Sequence, residues 1–471
     1  MRRIETDICV IGAGSGGLSV AAGAVQMGAR VVLVEAAEMG GDCLNHGCVP
    51  SKALLAAAKA AHAMTTGAAF GVRPVSPQVD FAAVKDHVAR VIAGIAPLDS
   101  QERFEGLGVT VIRAFGRFVS ATELEAGDAV IRARRFVVAT GSRPVVPPIP
   151  GIEDVPYLTN ETIFAQRQRP EHLVILGGGP IGMEMAQAHR RLGSAVTVVE
   201  GLRALGREDP DLVDVVLAQL RDEGIDIREG QSVVKLVRAA GVVATLSDGE
   251  VITGSHLLVA AGRKVALDGL GLEAAGVEHD ARGVKVGANL RSSNWRIYAV
   301  GDAAGAGQFT HLAGYHAGIF IRQALFGLPA KTRSDLIPRV TFTDPELAQV
   351  GLTEAEARAA HGDRVEVVRW PYNENDRARA EGKTQGLIKV MVVRGRPVGA
   401  GIVGAQAGEL IGLWALAISA GLKMGALAGM VAPYPTLGEV SKRAAGAYFS
   451  PRLFDSARVK QLVRLVQRLL P

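Results

Sequence analysis

The sequence predicts an α/β fold: two Rossmann-like nucleotide-binding units, then a C-terminal α+β region. Three observations carry this. A G-x-G-x-x-G turn set between an apolar strand and a helix occurs twice. Each copy is followed by a second apolar strand that closes on glycine. From Arg339 onward the pattern changes to alternating strands mixed with short helical stretches.

In the first unit, Ile8-Cys9-Val10-Ile11 reads as a buried strand and feeds Gly12-Ala13-Gly14-Ser15-Gly16-Gly17. Gly12 makes the turn, Gly14 lets the backbone approach a pyrophosphate, and Gly17 lets helix and strand pack. The next strand, Val31–Val34, ends at Glu35, 18 residues after Gly17 and placed to accept hydrogen bonds from ribose hydroxyls. The unit recurs at Leu173–Leu176, with Gly177, Gly179 and Gly182, and its strand Val196–Val199 ends at Glu200, again 18 residues on. Two such units imply two dinucleotides, or one dinucleotide and a decayed copy.

The second landmark is Phe136–Val138 running to Thr140-Gly141, paralleled by Leu257–Val259 running to Gly262. Glu35 to Gly141 spans 106 positions and Glu200 to Gly262 spans 62, so the first copy holds 44 extra residues. Two helical patterns fill them, one Ala-rich from Ala53 and one from Phe81 to about Leu107. A further strand, Ile297–Val300, closes on Gly301-Asp302; alone it reads as an ordinary strand–turn acid.

The extra residues open on Gly40-Gly41-Asp42-Cys43-Leu44-Asn45-His46-Gly47-Cys48-Val49-Pro50-Ser51-Lys52. Residues i and i+5 do not share a helix face, so two bonded sulfurs at this spacing require a local bend. A strained, reachable disulfide is the reducible kind. The residues alone leave open two unrelated thiols.

Composition limits the remaining options. A chain of 471 residues has room for about three domains. Three cysteines fit a redox pair in a reducing cytosol better than a secreted disulfide scaffold. Asp7 and the glycine turn rule against a signal peptide, and Lys423 breaks the apolar run Leu410–Val431 into a buried helix pair. The net charge of +5 gathers mostly in 451–471, so no nucleic-acid surface is expected. His46 lies between the cysteines without enough ligands for a metal site, and His311 and His316 read as helix-surface or cofactor-contact residues. In 451–471, Val459, Leu462, Val463, Val466, Leu469 and Leu470 keep a helical apolar period, with Lys460, Arg464 and Arg468 on another face. This basic amphipathic helix suits an anionic membrane surface or the surface of the protein's own dimer. The expected location is cytoplasmic, with peripheral contact at the inner face of a membrane through this tail.

Taken in order, these motifs resemble the class I pyridine nucleotide-disulfide oxidoreductases, which include dihydrolipoamide dehydrogenase, glutathione reductase and mercuric reductase. The resemblance implies FAD on the first unit and a nicotinamide cofactor on the second. It implies a Cys43–Cys48 redox disulfide, with Cys48 facing the flavin and Cys43 attacking the substrate. Lys52 and Glu184 match a pair that meets near the flavin ring, and Gly41, Thr140, Gly141 and Asp302 match flavin-contact positions. The implied division is 1–147 and 268–335 for FAD, 148–267 for NAD(P), 336–450 for a homodimer interface, and 451–471 as the tail. Glu200 favours NADH, because a carboxylate repels a 2′-phosphate; Arg203 and Arg207 just beyond keep NADPH as the alternative.

Two departures bear on the acceptor. Pro180 stands where glutathione reductases have a gating tyrosine. Tyr434-Pro435-Thr436-Leu437-Gly438-Glu439 has tyrosine where the family's disulfide reductases have histidine. A phenol exchanges protons poorly at neutral pH, and Glu439 loses the imidazole it would orient. Mercuric reductases share the tyrosine but add a C-terminal cysteine pair, and no cysteine follows Cys48 here; no N-terminal metal domain is expected either. The leading expectation is a flavin–dithiol relay to a disulfide or other small acceptor. The alternatives are a quinone or metal-ion reductase and a retired flavoprotein acting as a membrane-associated binding partner.

Overall fold

The structure is a computed structural model and describes residues 1–470. Its first sheet has a parallel core in the order Thr110–Ile112, Val31–Val34, Arg2–Ile11, Ala129–Val138, with Ile297–Ala299 beside the end of Ala129–Val138. Antiparallel strands Glu123–Ala126 and Gly116–Phe118 extend it from the start of that strand. Register explains how one edge gathers chemistry. Ile11 pairs with both Val34 and Val138, and Val138 with Ala299. Gly12, Glu35, Thr140 and Asp302 therefore emerge together at the carboxyl ends of the strands, where open α/β sheets bind ligands. The first strand runs back to Arg2, beyond the apolar run, because Arg2–Thr6 pairs with Ala129–Ala133.

The second sheet is wholly parallel, in the order Asp226–Glu229, Ala195–Glu200, His172–Leu176, His256–Val259, Tyr157–Leu158. Leu176 pairs with Val199 and Val259, which repeats the same edge with Gly177, Glu200 and Gly262. A two-stranded ribbon, Ser142–Pro144 against Arg263–Val265, carries the chain between the two sheets in both directions.

The inserted residues form the helix Cys48–Ala63, which starts at the cysteine itself, five residues before the Ala-rich pattern. Phe81–Ile95 follows, capped by the Asp80 carboxylate on Ala83 N–H. The pattern toward Leu107 is broken by a 3₁₀ turn at Ala96–Leu98, where Pro97 cannot donate a helical hydrogen bond. Ala53, Leu54, Ala58 and Ala61 bury one face of the first helix in a core shared with Met183, Ala186 and Leu212 of the second unit. Fully burying a leucine such as Leu54 contributes about 2 kcal/mol.

The C-terminal region is an antiparallel five-stranded sheet, Arg339–Thr341, Glu346–Gly351, Arg396–Gly404, Leu387–Val393, Val365–Pro371. Helices Ala407–Ser419 and Glu439–Ala447 pack on it around Trp414, whose indole N–H donates to Ser441 Oγ at 3.0 Å. The run Leu410–Val431 is two helices, with Lys423 at the N-cap of the second. No described helix is long and apolar enough to cross a membrane.

Candidate active site around Cys43 and Cys48

The bend required by the cysteine spacing falls at His46-Gly47. The short helix Gly41–Asn45 carries Cys43 and ends at His46; Gly47 then breaks the path, and Cys48 opens the next helix. A Cβ on Gly47 would lie 2.9 Å from the Asp42 carbonyl oxygen, so only glycine lets the chain fold back this tightly. Gly40 and Gly41 have φ of +85° and +60°, and a Cβ on Gly41 would stand 2.7 Å from Gly14 Cα. Gly40 N–H donates to Ala13 O at 3.0 Å. The cysteine segment is thereby fastened directly to the first glycine loop.

Cys43 and Cys48 are unbonded here and lie close enough for each sulfur to change the other's proton affinity. The pair shares its protons unequally. The Cys43 hydrogen bond, Thr310 and the Lys52 charge push Cys48 down to about 6. The same shared hydrogen bond, then burial, pushes Cys43 up. Thr310 Oγ1 stands 3.4 Å from Cys48 Sγ and opens its own helix, Thr310–Ala324. Cys48 thus lies at the N-termini of two helices, where a thiolate is favoured. It is exposed, whereas the remaining cysteine, Cys9, is fully buried in the first sheet.

One turn along, Lys52 Nζ meets Glu184 Oε2 at 2.7 Å and stands 4.3 Å from the centre of the Phe342 ring. Glu184 is 4% exposed, and its other oxygen accepts from Phe342 N–H at 3.0 Å. Glu184, Gln187 and Arg191 share one face of the helix Pro180–Arg191. Gln187 bonds both N–H and C=O of Asp344, and Arg191 pairs with Glu223 at 2.7 Å and Asp344 at 3.1 Å. That face holds the strand end carrying Phe342 against Lys52, so all three units converge beside the thiols.

The two glycine loops have the same construction. Gly12 and Gly177 have φ of +104° and +111°, and a Cβ on either would lie 2.4 Å from a backbone oxygen, Ala139 O or Ala260 O. Gly17 and Gly182 permit equally close approaches to Gly12 O and Gly177 O, whereas Gly179 has open space. Each terminal acid is held by two backbone N–H groups. Glu35 accepts from Ala13 at 2.5 Å and Ala37 at 2.6 Å; Glu200 accepts from Gly178 at 2.7 Å and Leu202 at 3.0 Å. The second loop therefore has the geometry of an intact nucleotide site.

At the first edge, Thr140 Oγ1 is buried without a hydrogen-bond partner, and nothing lies within 4 Å of a Cβ position on Gly141. Asp302 accepts from Ser142 Oγ at 2.6 Å, and burial raises its carboxyl above the usual range. An orphaned hydroxyl, an open glycine and an exposed sulfur, set beside the loop and Glu35, fit an FAD. The sequence reading missed Thr310, Phe342, Ser142, Asn160 and Arg263. Of these, Ser142 and Arg263 directly follow the paired landmark glycines Gly141 and Gly262; the others become neighbours through tertiary packing.

Tyr434 is exposed and donates to Asp376 Oδ2 at 3.1 Å, which raises the phenol's pKa above its usual value. Glu439 opens the helix Glu439–Ala447 and stands 3.9 Å from Arg443. No described hydrogen bond or ion pair joins either residue to the cysteines within one protomer. His311 is exposed and bonds Pro338 O at 2.8 Å; His316 is buried, not at the surface, and accepts from Gly301 N–H at 3.2 Å. No group of three or more metal-binding side chains occurs among the described residues.

A fold with two such nucleotide edges and a dithiol between them defines a flavin-dependent dithiol/disulfide oxidoreductase. The family model described as "Pyridine nucleotide-disulphide oxidoreductase" matches residues 6–317, and its dimerisation domain matches 337–445. The chain belongs to the pyridine nucleotide-disulfide oxidoreductase family; it is an FAD- and NAD(P)-dependent enzyme that forms homodimers. It is 37% identical to a mercuric reductase of Streptomyces lividans, covering 94% of this chain and 96% of that one. It is 36% identical to a dihydrolipoyl dehydrogenase of Thermus scotoductus, covering 94% and 97%. Among solved structures, it is similar to the HOCl-induced flavoprotein disulfide reductase RclA from Escherichia coli, at TM-score 0.83 and 28% identity over 93% of this chain and 99% of that one. LpdA from Mycobacterium tuberculosis superposes at TM-score 0.86 and 25% identity, over 95% and 99%.

Proposed function

We propose that the enzyme takes electrons from NADH and delivers them through Cys43 and Cys48 to a small acceptor other than a simple lipoyl disulfide. FAD, when bound, supplies the two-electron transfer between nicotinamide and sulfur. The protein's own residues do the rest. Breaking the Cys43–Cys48 bond takes two electrons and leaves two sulfurs sharing a proton. Cys43 hands its proton to Cys48 as its sulfur attacks the acceptor, which breaks the acceptor's S–S bond, forms a mixed disulfide and leaves a thiolate that takes a proton from solvent. Cys48 then attacks Cys43, re-forming the internal bond and releasing the acceptor as a dithiol. Lys52, compensated by Glu184, supplies a positive charge beside the sulfur and the flavin face.

The observation that carries the choice of acceptor is Tyr434. Its hydroxyl is bonded to Asp376 and its pKa is raised, so it relays protons poorly near neutral pH. With Glu439 it would complete the partner's site in the dimer. Tyr434→His is expected to raise dihydrolipoamide–NAD activity at least tenfold while leaving NADH–quinone activity unchanged. Unaltered lipoamide turnover would reject this account of the tyrosine.

A second reading, reduction of a metal ion or quinone with the thiols only storing electrons, is favoured by the likeness to a mercuric reductase. It predicts that Cys43→Ser still turns over a quinone at near the parent rate; the relay predicts loss of acceptor turnover.

For location we propose peripheral contact with an anionic membrane. The helix Ala457–Leu469 buries no residue, and Leu462, Val463 and Leu469 are each more than half exposed, with Lys460, Arg464 and Arg468 on another face. Deleting 451–471 is expected to abolish co-sedimentation with anionic liposomes; undiminished co-sedimentation would end this reading.

A further inference from the structure

Asp42 sits inside the redox segment, between Gly41 and Cys43, and is held from outside it. Arg263 Nη2 stands 3.1 Å from Asp42 Oδ1, and Asn160 Nδ2 donates to the same oxygen at 2.9 Å. Asn160 also donates to His46 O at 3.2 Å, so one amide ties down both ends of the short helix that carries Cys43. Arg263 is anchored in turn. Its Nε donates to Ser142 Oγ at 2.8 Å and its Nη2 to Ser142 O at 2.8 Å, and Ser142 Oγ donates to Asp302. Ser142 and Arg263 lie on the two strands of the ribbon that joins the nucleotide units. The guanidinium side chain is 11% exposed and the Asp42 carboxylate 37%, so the pair is half-buried and its field is only partly screened. The other Asp42 oxygen lies 2.9 Å from the Cβ position of Gly47, the residue before Cys48.

We propose that Asp42 and Arg263 are a charge-compensated positioning pair that clamps the redox segment to the inter-unit ribbon and sets the acidity of Cys48. This rests on Cys48 being the thiolate that faces the flavin. Neither residue hydrogen-bonds either sulfur, so both act through position and field. The charged and titratable groups facing Cys48 are Cys43, Lys52 and Asp42. Glu184 stands behind Lys52, and Arg263 and Asp302 behind Asp42. Asp42 opposes the thiolate and Arg263 cancels that opposition. Removing the two charges singly must therefore shift Cys48 in opposite directions. Asp42→Asn leaves an unopposed cation and lowers its pKa; Arg263→Gln leaves an unopposed carboxylate and raises it. A charge about 8 Å away, at an effective dielectric of 20–80, moves a pKa by about 0.4–1.5 units.

The test uses FAD-loaded enzyme in a Cys43→Ser background, where Cys48 is the one accessible thiol because Cys9 is buried. Two readouts are titrated against pH: the long-wavelength thiolate–flavin absorption and the rate of Cys48 alkylation by iodoacetamide. The expected result is a lower midpoint in Asp42→Asn and a higher one in Arg263→Gln. The double variant should return to within about 0.3 units of the parent, and Arg263→Lys, which keeps the charge, should stay near it. Shifts of the same sign, as simple loosening would give, or no shift, overturn the proposal. Should the absorption be missing from the parent, Cys48 does not face the flavin and the functional reading fails separately. The alkylation midpoints then still decide the charge pairing.

Discussion

Glu200 offers the sharpest quantitative test of cofactor choice. Its carboxylate is fixed at the end of the second unit's strand by Gly178 N–H at 2.7 Å and Leu202 N–H at 3.0 Å, so it cannot swing away from an incoming phosphate. Two unit charges about 5 Å apart repel by about 0.8 kcal/mol in bulk water and about 3 kcal/mol at an effective dielectric of 20. A half-exposed site on a cleft edge lies between these limits. The carboxylate should therefore disfavour NADPH by about 1–3 kcal/mol, or roughly 5- to 150-fold in kcat/KM. Glu200→Gln removes the charge while keeping one acceptor oxygen for the loop. It is expected to raise kcat/KM for NADPH by roughly tenfold or more and to lower that for NADH only a few-fold. Arg203, the nearest arginine in sequence, is paired with Asp214 at 2.5 Å. Steady-state kinetics with both nucleotides, at saturating acceptor, give the ratio. If NADPH efficiency is unchanged while NADH efficiency falls, Glu200 binds ribose without repelling phosphate and the electrostatic argument is wrong.

Further predictions follow from the contacts between units. Arg191→Met would leave the nearly buried Glu223 without its cation and Asp344 with only Lys383, 3.5 Å away, at a cost of about 3–5 kcal/mol, read as a fall of several degrees in the holoenzyme's thermal midpoint. Both carboxyls are held below their usual range, Glu223 against burial by Arg191 and Asp344 against burial by Lys383 and Arg191. Groups so depressed stabilise the fold above their unfolded pKa values, and that contribution is lost as pH falls through the folded ones. The parent's midpoint should drop on acidification below about pH 4, and Arg191→Met should show less of that drop. Lys52→Met removes the cation beside Cys48 and strands Glu184, so stopped-flow reduction by NADH should slow at least tenfold; an unaltered rate would remove Lys52 from the chemistry.

Much of this site could be read from the chain because glycine leaves a sequence record of backbone need. Gly12, Gly17, Gly177 and Gly182 are fixed by approaches of 2.4 Å or less between a Cβ position and a backbone oxygen, and such positions recur at set distances from the strand and its acid. The bend between Cys43 and Cys48 was readable from their spacing. Strand limits were not. Arg2–Thr6 looks polar and irregular, and becomes a strand only because Ala129–Ala133 lies beside it. The break at Pro97 was visible in principle but hidden by a continuing helical pattern on either side. Arg263, Asn160 and Thr310 touch the redox segment across more than a hundred positions of chain, and nothing in the local sequence shows that they meet it. His316 read as a helix-surface or cofactor-contact position; burial removes the surface reading, and its ring accepts the Gly301 N–H.

The most direct test is an anaerobic titration of the FAD-loaded enzyme with NADH. A working relay takes up two reducing equivalents beyond those needed to reduce the flavin, and a long-wavelength thiolate–flavin absorption develops as the Cys43–Cys48 bond opens. Uptake that stops at the flavin, with no such absorption and no newly titratable thiols, would contradict the coupling of these two sulfurs to the cofactor.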